Sequence, residues 1–282
     1  MRLWRDGVEL DAGPRQQAYL LALLLANAGR PVSRNALIEQ LWDGDDPDSA
    51  VNIIRKYVGL LRRVLEPELP IRGTGSYVLP RSNGYTFLPG AAELDLVVFR
   101  ELIDAAKAAR DPDEALGRFV EALELWHGHA GGGLDPAAAA MAVFAALDAE
   151  FFAACLAAAE LALAQDRPGV VLKPLRLAAA MAPLHEGVQA SLVTVLATTG
   201  QQAEALEVYG RVRDRLAAEV GVAPGPALLA AHRRVTGPPR DRVDAASALI
   251  RAAERLAADA RLFAQQVEGF VKELESDAPI VH

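Results

Sequence analysis

The sequence predicts a mainly α chain: a small α+β unit at the front, with three helices and a hairpin, then an all-α array of helix pairs and a long terminal helix. Three observations carry this. The stretch Asp46 to Leu65 segregates apolar from basic residues at helical spacing, and Asn83-Gly84 marks a tight turn between two short apolar runs. In the second half, Glu121-Ala-Leu-Glu-Leu-Trp126 returns as Glu204-Ala-Leu-Glu-Val-Tyr209, the recurrence expected of stacked helix pairs.

Composition narrows the function classes. With 282 residues, 52% of them hydrophobic and 23% charged, the chain is globular and long enough for two domains. Its net charge of -8 is unevenly spread: residues 1–88 hold 11 Lys/Arg against 10 Asp/Glu, and the remainder 18 against 27. A near-neutral front with a basic stripe and an acidic body fits a nucleic-acid reader joined to a protein-interaction module. Cys155 is the single cysteine and lies among alanines, so neither a disulfide framework nor a thiolate metal cluster is expected, and its role is packing. The longest apolar run, Pro136 to Ala164, is broken by Asp148, Glu150 and Glu160, and no basic, apolar leader opens the chain. A soluble cytoplasmic protein without a membrane partner is the expectation.

In chain order, Leu3-Trp4 and Val8-Glu9-Leu10 flank Asp6-Gly7 and read as a short hairpin with no further strand to pair with. Arg15 to Ala28 is a leucine-rich helix closed by Gly29, with Pro31 to stop it. Ser33 caps a second helix, Asn35 to Trp42, whose Leu37, Ile38, Leu41 and Trp42 face inward. The loop Asp43 to Asp48 leads to the Asp46–Leu65 helix, with Asp46 as cap and Pro47 at the first position. Its apolar face is Ala50, Ile53, Ile54, Tyr57, Val58, Leu61, Val64 and Leu65; the other face is Asn52, Arg55, Lys56, Gly59, Arg62 and Arg63, four positive charges and no negative one. This reads as a recognition helix, with Asn52, Arg55 and Lys56 reaching base edges and Arg62 and Arg63 on phosphates. An ordinary solvated basic face is the competing reading for such a helix taken alone. Two short helices, a polar turn and a basic third helix make a helix-turn-helix, which favours the first. Tyr77-Val-Leu and Tyr85-Thr-Phe-Leu then flank Pro80 to Gly84, a wing whose tip residues Arg81, Ser82 and Asn83 are placed for a phosphate or a minor groove.

The acidic body is helical throughout. Asp111-Pro112-x-Glu114 supplies a cap, a first-position proline and a third-position glutamate, and Asp135-Pro136 repeats the cap and proline. Helix pairs fall at Asp95/Pro112, Pro168/Pro183 and Gln201/Gly225, a tetratricopeptide-like solenoid in which Trp126 and Tyr209 are packing knobs. Its concave face makes partner binding the default function. His127-x-His129 before Gly131-Gly-Gly133 is read as a connection between helices, because no further ligand at metal spacing and no strand or Lys-Ser/Thr frames it as a metal pair or phosphate loop. No nucleophile-base arrangement stands out, so no active site and no cofactor are expected. After Gly237-Pro-Pro-Arg240, Val243 to Glu275 forms a long helix with a heptad seam of Leu249, Ala253, Leu256, Ala260, Phe263, Val267, Phe270 and Leu274. That seam either caps the solenoid, the favoured reading, or pairs with a second subunit.

These residues carry a family resemblance. Gly29-Arg-Pro-Val-Ser33 with Leu37 and Leu41-Trp42, Tyr57-Val-x-x-Leu61-Arg62, and Gly84-Tyr85 before Leu94-Asp95 and Phe99 resemble the winged helix-turn-helix of OmpR-type regulators. Ala122-Leu-x-Leu-Trp126-x-Gly128-x-Ala130, Pro183-Leu-x-Glu186, Gly200-x-x-x-Glu204-Ala-Leu-x-x-Tyr209 and Gly221-Val-x-Pro224-x-Pro226-x-Leu228 resemble the bacterial transcriptional activator domain that follows it in the SARP family, the Streptomyces antibiotic regulatory proteins. Two departures are visible: ten residues supply less N-terminal β-structure than the family usually has, and His127 stands where an arginine is common. The resemblance implies a DNA-binding domain at 1–88 and an activator domain at 94–237; the linker and amphipathic helix at 238–282 are read from the residues alone. The resemblance further implies a sequence-specific transcriptional activator of a biosynthetic gene cluster, acting on promoter DNA by recruiting RNA polymerase holoenzyme; pairing of two copies on DNA stays open beside the cap reading of the terminal seam. The reading from another class is a protein-interaction scaffold whose winged helix no longer binds DNA.

Overall fold

Local signals place most of the front elements. In the computed structural model, which describes residues 1–70, 73–90, 94–134 and 138–237, strands β1 (Leu3–Arg5) and β2 (Val8–Leu10) pair antiparallel as their own two-stranded sheet. Asp6 and Gly7 both take positive φ, the backbone a two-residue hairpin turn demands. Helix α1 (Arg15–Ala26) is buried along most of its length and ends before Gly29, whose φ of 79° turns the chain out of the helix. Helix α2 (Arg34–Trp42) starts at Ser33, whose hydroxyl accepts from the Ala36 amide at 3.1 Å.

Helix α3 spans Ala50–Leu65, one turn shorter at its start than the capping signals suggest. Asp46 and Pro47 belong instead to the approach: the Pro47 carbonyl accepts from the Ala50 amide at 2.8 Å in a separate turn, and Ser49 is the boundary residue. A proline satisfies a turn as well as a first helical turn, since both leave its missing N–H without a partner.

The hairpin also differs in detail. Strands β4 (Val78–Arg81) and β5 (Gly84–Phe87) pair with Arg81 opposite Gly84, so the turn is Ser82-Asn83, one residue earlier than the Asn-Gly signal implies. Gly84 is required for another reason. A third strand, β3 (Val32–Ser33), for which the sequence shows no signal beyond the Ser33 cap, pairs with β5, and a Cβ at Gly84 would lie 1.9 Å from the Val32 carbonyl oxygen. Glycine here permits close approach of two backbones rather than a left-handed turn.

In the body, α4 (Asp95–Ala108) packs on α5 (Pro112–Glu124), which opens at Asp111 with its carboxylate accepting from the Asp113 amide at 3.1 Å. A 3-10 turn (Pro168–Val171) and α7 (Leu172–Met181) pair with α8 (Glu186–Thr198), and α9 (Gln202–Arg215) joins α10 (Pro226–Thr236) through Tyr209 stacked on His232 at 3.9 Å. These are the three expected helix pairs.

Between them runs α6 (Ala138–Ala164), 27 residues that contact α1, α2, α5, α7 and α8. Its length and apolar composition would suit a bilayer, but here it is the core helix that joins front and body. Tyr19 of α1 lies 6.0 Å from Phe144 of α6, and Trp126 stacks on Phe151 at 5.0 Å with Phe99 on its other side. The acids that interrupt the run are used: Glu150 receives both prongs of Arg100 at 2.7 and 2.8 Å, which holds Arg100 above its usual pKa, and buried Asp148 lies 2.6 Å from His129 Nδ1 and accepts from the Ala130 amide at 2.8 Å. Cys155 is fully buried, and burial pushes its thiol well above the usual range, as suits a packing residue. The Asp135-Pro136 cap and the heptad seam from Leu249 to Leu274 lie outside the described residues.

Candidate nucleic-acid interface

One face of α3 is closed and the other open. Ala50, Ile54, Val58 and Leu61 are buried against the front core, and Tyr57 donates its hydroxyl to Gln16 Oε1 of α1 at 3.0 Å. The four buried positions recur at three- and four-residue steps, which turns Asn52, Arg55, Lys56 and Arg63 to solvent, where all four are exposed. Arg55 Nη1 donates to Asn52 Oδ1 at 3.3 Å, so the two side chains lie together one helical turn apart. Arg63 approaches only the Gly59 carbonyl one turn back, at 3.4 Å. The stripe is therefore positive, rich in donors and free of carboxylates along its own helix, a surface that suits phosphate and base-edge acceptors.

Arg62 does not join this stripe. Its Nε and Nη2 both donate to the Val78 carbonyl, at 2.9 and 2.7 Å, and tie the last turn of α3 to the first residue of β4. Burial lowers its pKa, with the nearby Tyr85 and Glu66 acting in the opposite direction. The neighbouring residues reinforce the same joint. Glu66 accepts from the Ser76 amide at 2.9 and 3.0 Å and from its hydroxyl at 2.7 Å. Arg5 of β1 donates through Nη2 to the carbonyls of Val64 and Leu65. These are two of the last four carbonyls of α3, which have no partner within the helix.

At the wing, Arg81, Ser82 and Asn83 are all exposed. Arg81 Nη1 reaches its neighbour's carbonyl at Pro80, at 3.2 Å. Asn83 is engaged from the other side: its carbonyl accepts from the Arg34 amide at 2.8 Å, and Arg34 Nη2 lies 3.4 Å from its Oδ1. Arg34 and Arg5 are the residues that the sequence reading missed. Arg34 is the first residue of α2, where the Ser33 cap is the local signal, and Arg5 carries no local pattern at all. Their partners lie 49 and 59 residues away, so no sequence window could have joined them.

The two histidines of the His127/His129 stretch each have a partner within the chain. His127 Nδ1 sits 2.9 Å from the Leu125 carbonyl and His129 is taken by Asp148. Among the described residues no group of three or more His, Cys, Asp and Glu is disposed to hold an ion.

Comparison with known proteins finds two matching family models. Residues 9–79 match the family model described as transcriptional regulatory protein, C terminal, and residues 94–236 match the bacterial transcriptional activator domain. Regulatory protein AfsR of Streptomyces coelicolor is 32% identical over the whole of this chain, which spans 27% of that protein. Regulatory protein DnrI of Streptomyces peucetius is 30% identical over 79% of the chain and 84% of its own length. Among solved structures, Mycobacterium tuberculosis EmbR in complex with a low-affinity phosphopeptide superposes with a TM-score of 0.62 at 29% identity, covering 83% of this chain and 62% of that one. The chain thus spans about a quarter of the AfsR length and most of the DnrI length.

Proposed function

Because the chain belongs to the SARP family of regulators, which join an OmpR-type DNA-binding unit to a bacterial transcriptional activator domain, we propose that it is a sequence-specific DNA-binding transcriptional regulator without chemistry of its own. Residues 1–88 read promoter DNA and residues 94–237 work on the transcription machinery, as an activator that recruits RNA polymerase holoenzyme to a biosynthetic gene cluster. The protein acts in the cytoplasm, and two copies pair on DNA.

The observation that carries the reading is the open face of α3. Asn52, Arg55 and Lys56 reach base edges from its first half, and Arg63 holds a phosphate from its last turn. Arg81, Ser82 and the exposed edge of Asn83 add the contact of the wing. Arg62, spent on a backbone carbonyl, is left out of the phosphate set.

Affinity for DNA from the region upstream of its own gene cluster, measured against salt, tests this. A reader that neutralises about four phosphates loses on the order of a hundredfold in affinity between about 50 and 200 mM salt. A protein with no salt-dependent DNA binding would instead be the scaffold whose winged helix serves protein docking.

A further inference from the structure

Basic residues in a DNA-reading unit are ordinarily counted as phosphate ligands. Two here are spent otherwise. Arg62 gives two N–H groups to one carbonyl at the base of the wing, and Arg5 gives its Nη2 to the last carbonyls of α3. Glu66, the residue that ends α3, closes the same joint by accepting from the backbone and side chain of Ser76, just ahead of β4. Three chain segments therefore meet at one helix end: the N-terminal hairpin, 59 residues away in sequence, the last turn of α3, and the lead into the wing that follows it.

From this geometry we infer that Arg62 and Arg5 are positioning residues, which set the angle of the recognition helix against the wing and take no direct part in holding DNA. The inference rests on the DNA-reading function proposed above. It follows from hydrogen-bond direction. A carbonyl at a helix C-terminus carries a partial negative charge and has no partner within the helix, so a guanidinium placed there satisfies it and complements the helix dipole. Arg62 fixes α3 to β4 through two N–H groups that converge on the one Val78 carbonyl oxygen, and a planar guanidinium held through both Nε and Nη2 resists rotation as a single bond does not. Arg5 also accounts for the short N-terminal hairpin. With only two strands β1 and β2 make a marginal sheet, and Arg5 ties that sheet to α3, where it serves as the outer brace of the helix end.

The test uses the full chain with Arg62→Ala, Arg62→Lys, Arg5→Ala and Arg63→Ala, and two measurements. The first is amide hydrogen exchange of the free protein across β4, β5 and the last turn of α3. Arg62→Ala and Arg5→Ala should raise exchange there on the order of tenfold, the loss of a hydrogen bond made by a charged group. Arg63→Ala should leave it unchanged. Arg62→Lys, which keeps the charge but not the fork, should still raise it, and this variant also reads the effect if Arg62→Ala does not fold. The second is the dependence of log Kd on log salt for the preferred site. Arg62→Ala and Arg5→Ala should weaken binding without changing the slope, while Arg63→Ala should flatten it by about one. Unchanged exchange in both Arg62 variants, or a slope that falls by about one for Arg62→Ala, overturns the inference. If wild-type protein shows no salt-dependent binding, the DNA-reading function fails, and the exchange experiment still decides whether Arg62 and Arg5 hold the helix.

Discussion

Helices α3 and α6 solve opposite problems. Helix α3 separates its side chains cleanly: Ala50, Ile54, Val58 and Leu61 inward, Asn52, Arg55, Lys56 and Arg63 outward. Helix α6 has an inner and an outer side but hardly separates apolar from polar residues between them. Phe144, Leu147, Phe151 and Cys155 are buried, yet Met141, Ala142, Ala145, Ala146 and Ala149 face solvent, and the charge Asp148 is buried. A helix that touches the protein on one side needs only one apolar stripe, and the other can be given to a ligand. A helix that touches five others needs a long apolar face, and a polar group buried in that face must be paired. The contrast teaches where function and stability sit: substitutions at the exposed Asn52, Arg55, Lys56 and Arg63 of α3 should act on binding, and substitutions on the buried side of α6 on folding.

The hardest test of that division is Phe151→Ala. Phe151 is fully buried against Trp126 and joins α6 to α4 through Phe99. Its truncation should cost about 3–5 kcal/mol, read as a lower urea midpoint at unchanged slope. A loss below about 1 kcal/mol would mean that the Phe99–Trp126–Phe151 stack does not hold α6 to the rest of the body.

Asp148→Ala should come next. It leaves the Ala130 amide and His129 without their acceptor and should cost about 1–3 kcal/mol, with Asp148→Asn losing less because one acceptor oxygen remains. Equal losses for the two variants would assign the effect to the charge rather than to the hydrogen bond.

Arg55→Ala probes the other half of the contrast. Discrimination for the preferred site should fall by about 1–3 kcal/mol while the melting temperature stays put. A specific-to-nonspecific affinity ratio unaltered in this variant would remove Arg55 from the reading surface.

The smallest effect is expected at Ala145→Lys. An exposed alanine on the outer side of α6 should accept a charge within about 0.5 kcal/mol. A much larger loss, or a change of oligomeric mass on light scattering, would show that this apolar strip is covered in solution.

Legibility in the sequence followed the same divide. Where one residue type forces one backbone choice, the reading held: Asp6-Gly7 for the first turn, Ser33 and Asp111 as caps, and the apolar spacing of α3. Where a residue suits two local structures, the reading slipped. Pro47 serves a turn rather than a first helical turn, and Asn83-Gly84 marks the hairpin but misplaces its turn by one residue. Strand β3 is two residues long, too short to leave a period, and it exists only because β5 lies beside it.

The sequence by itself determined the classes of element, their order, the basic face of α3 and the family, because periodicity, capping and motif spacing are properties of neighbours along the chain. Only the tertiary structure decided which of the basic residues are free. Arg62 and Arg63 are adjacent in sequence and alike in chemistry, yet one is bound to the wing and the other is open to solvent. A carbonyl from a distant strand within 3 Å of one guanidinium made that difference, and its presence depends on how β4 and α3 pack together.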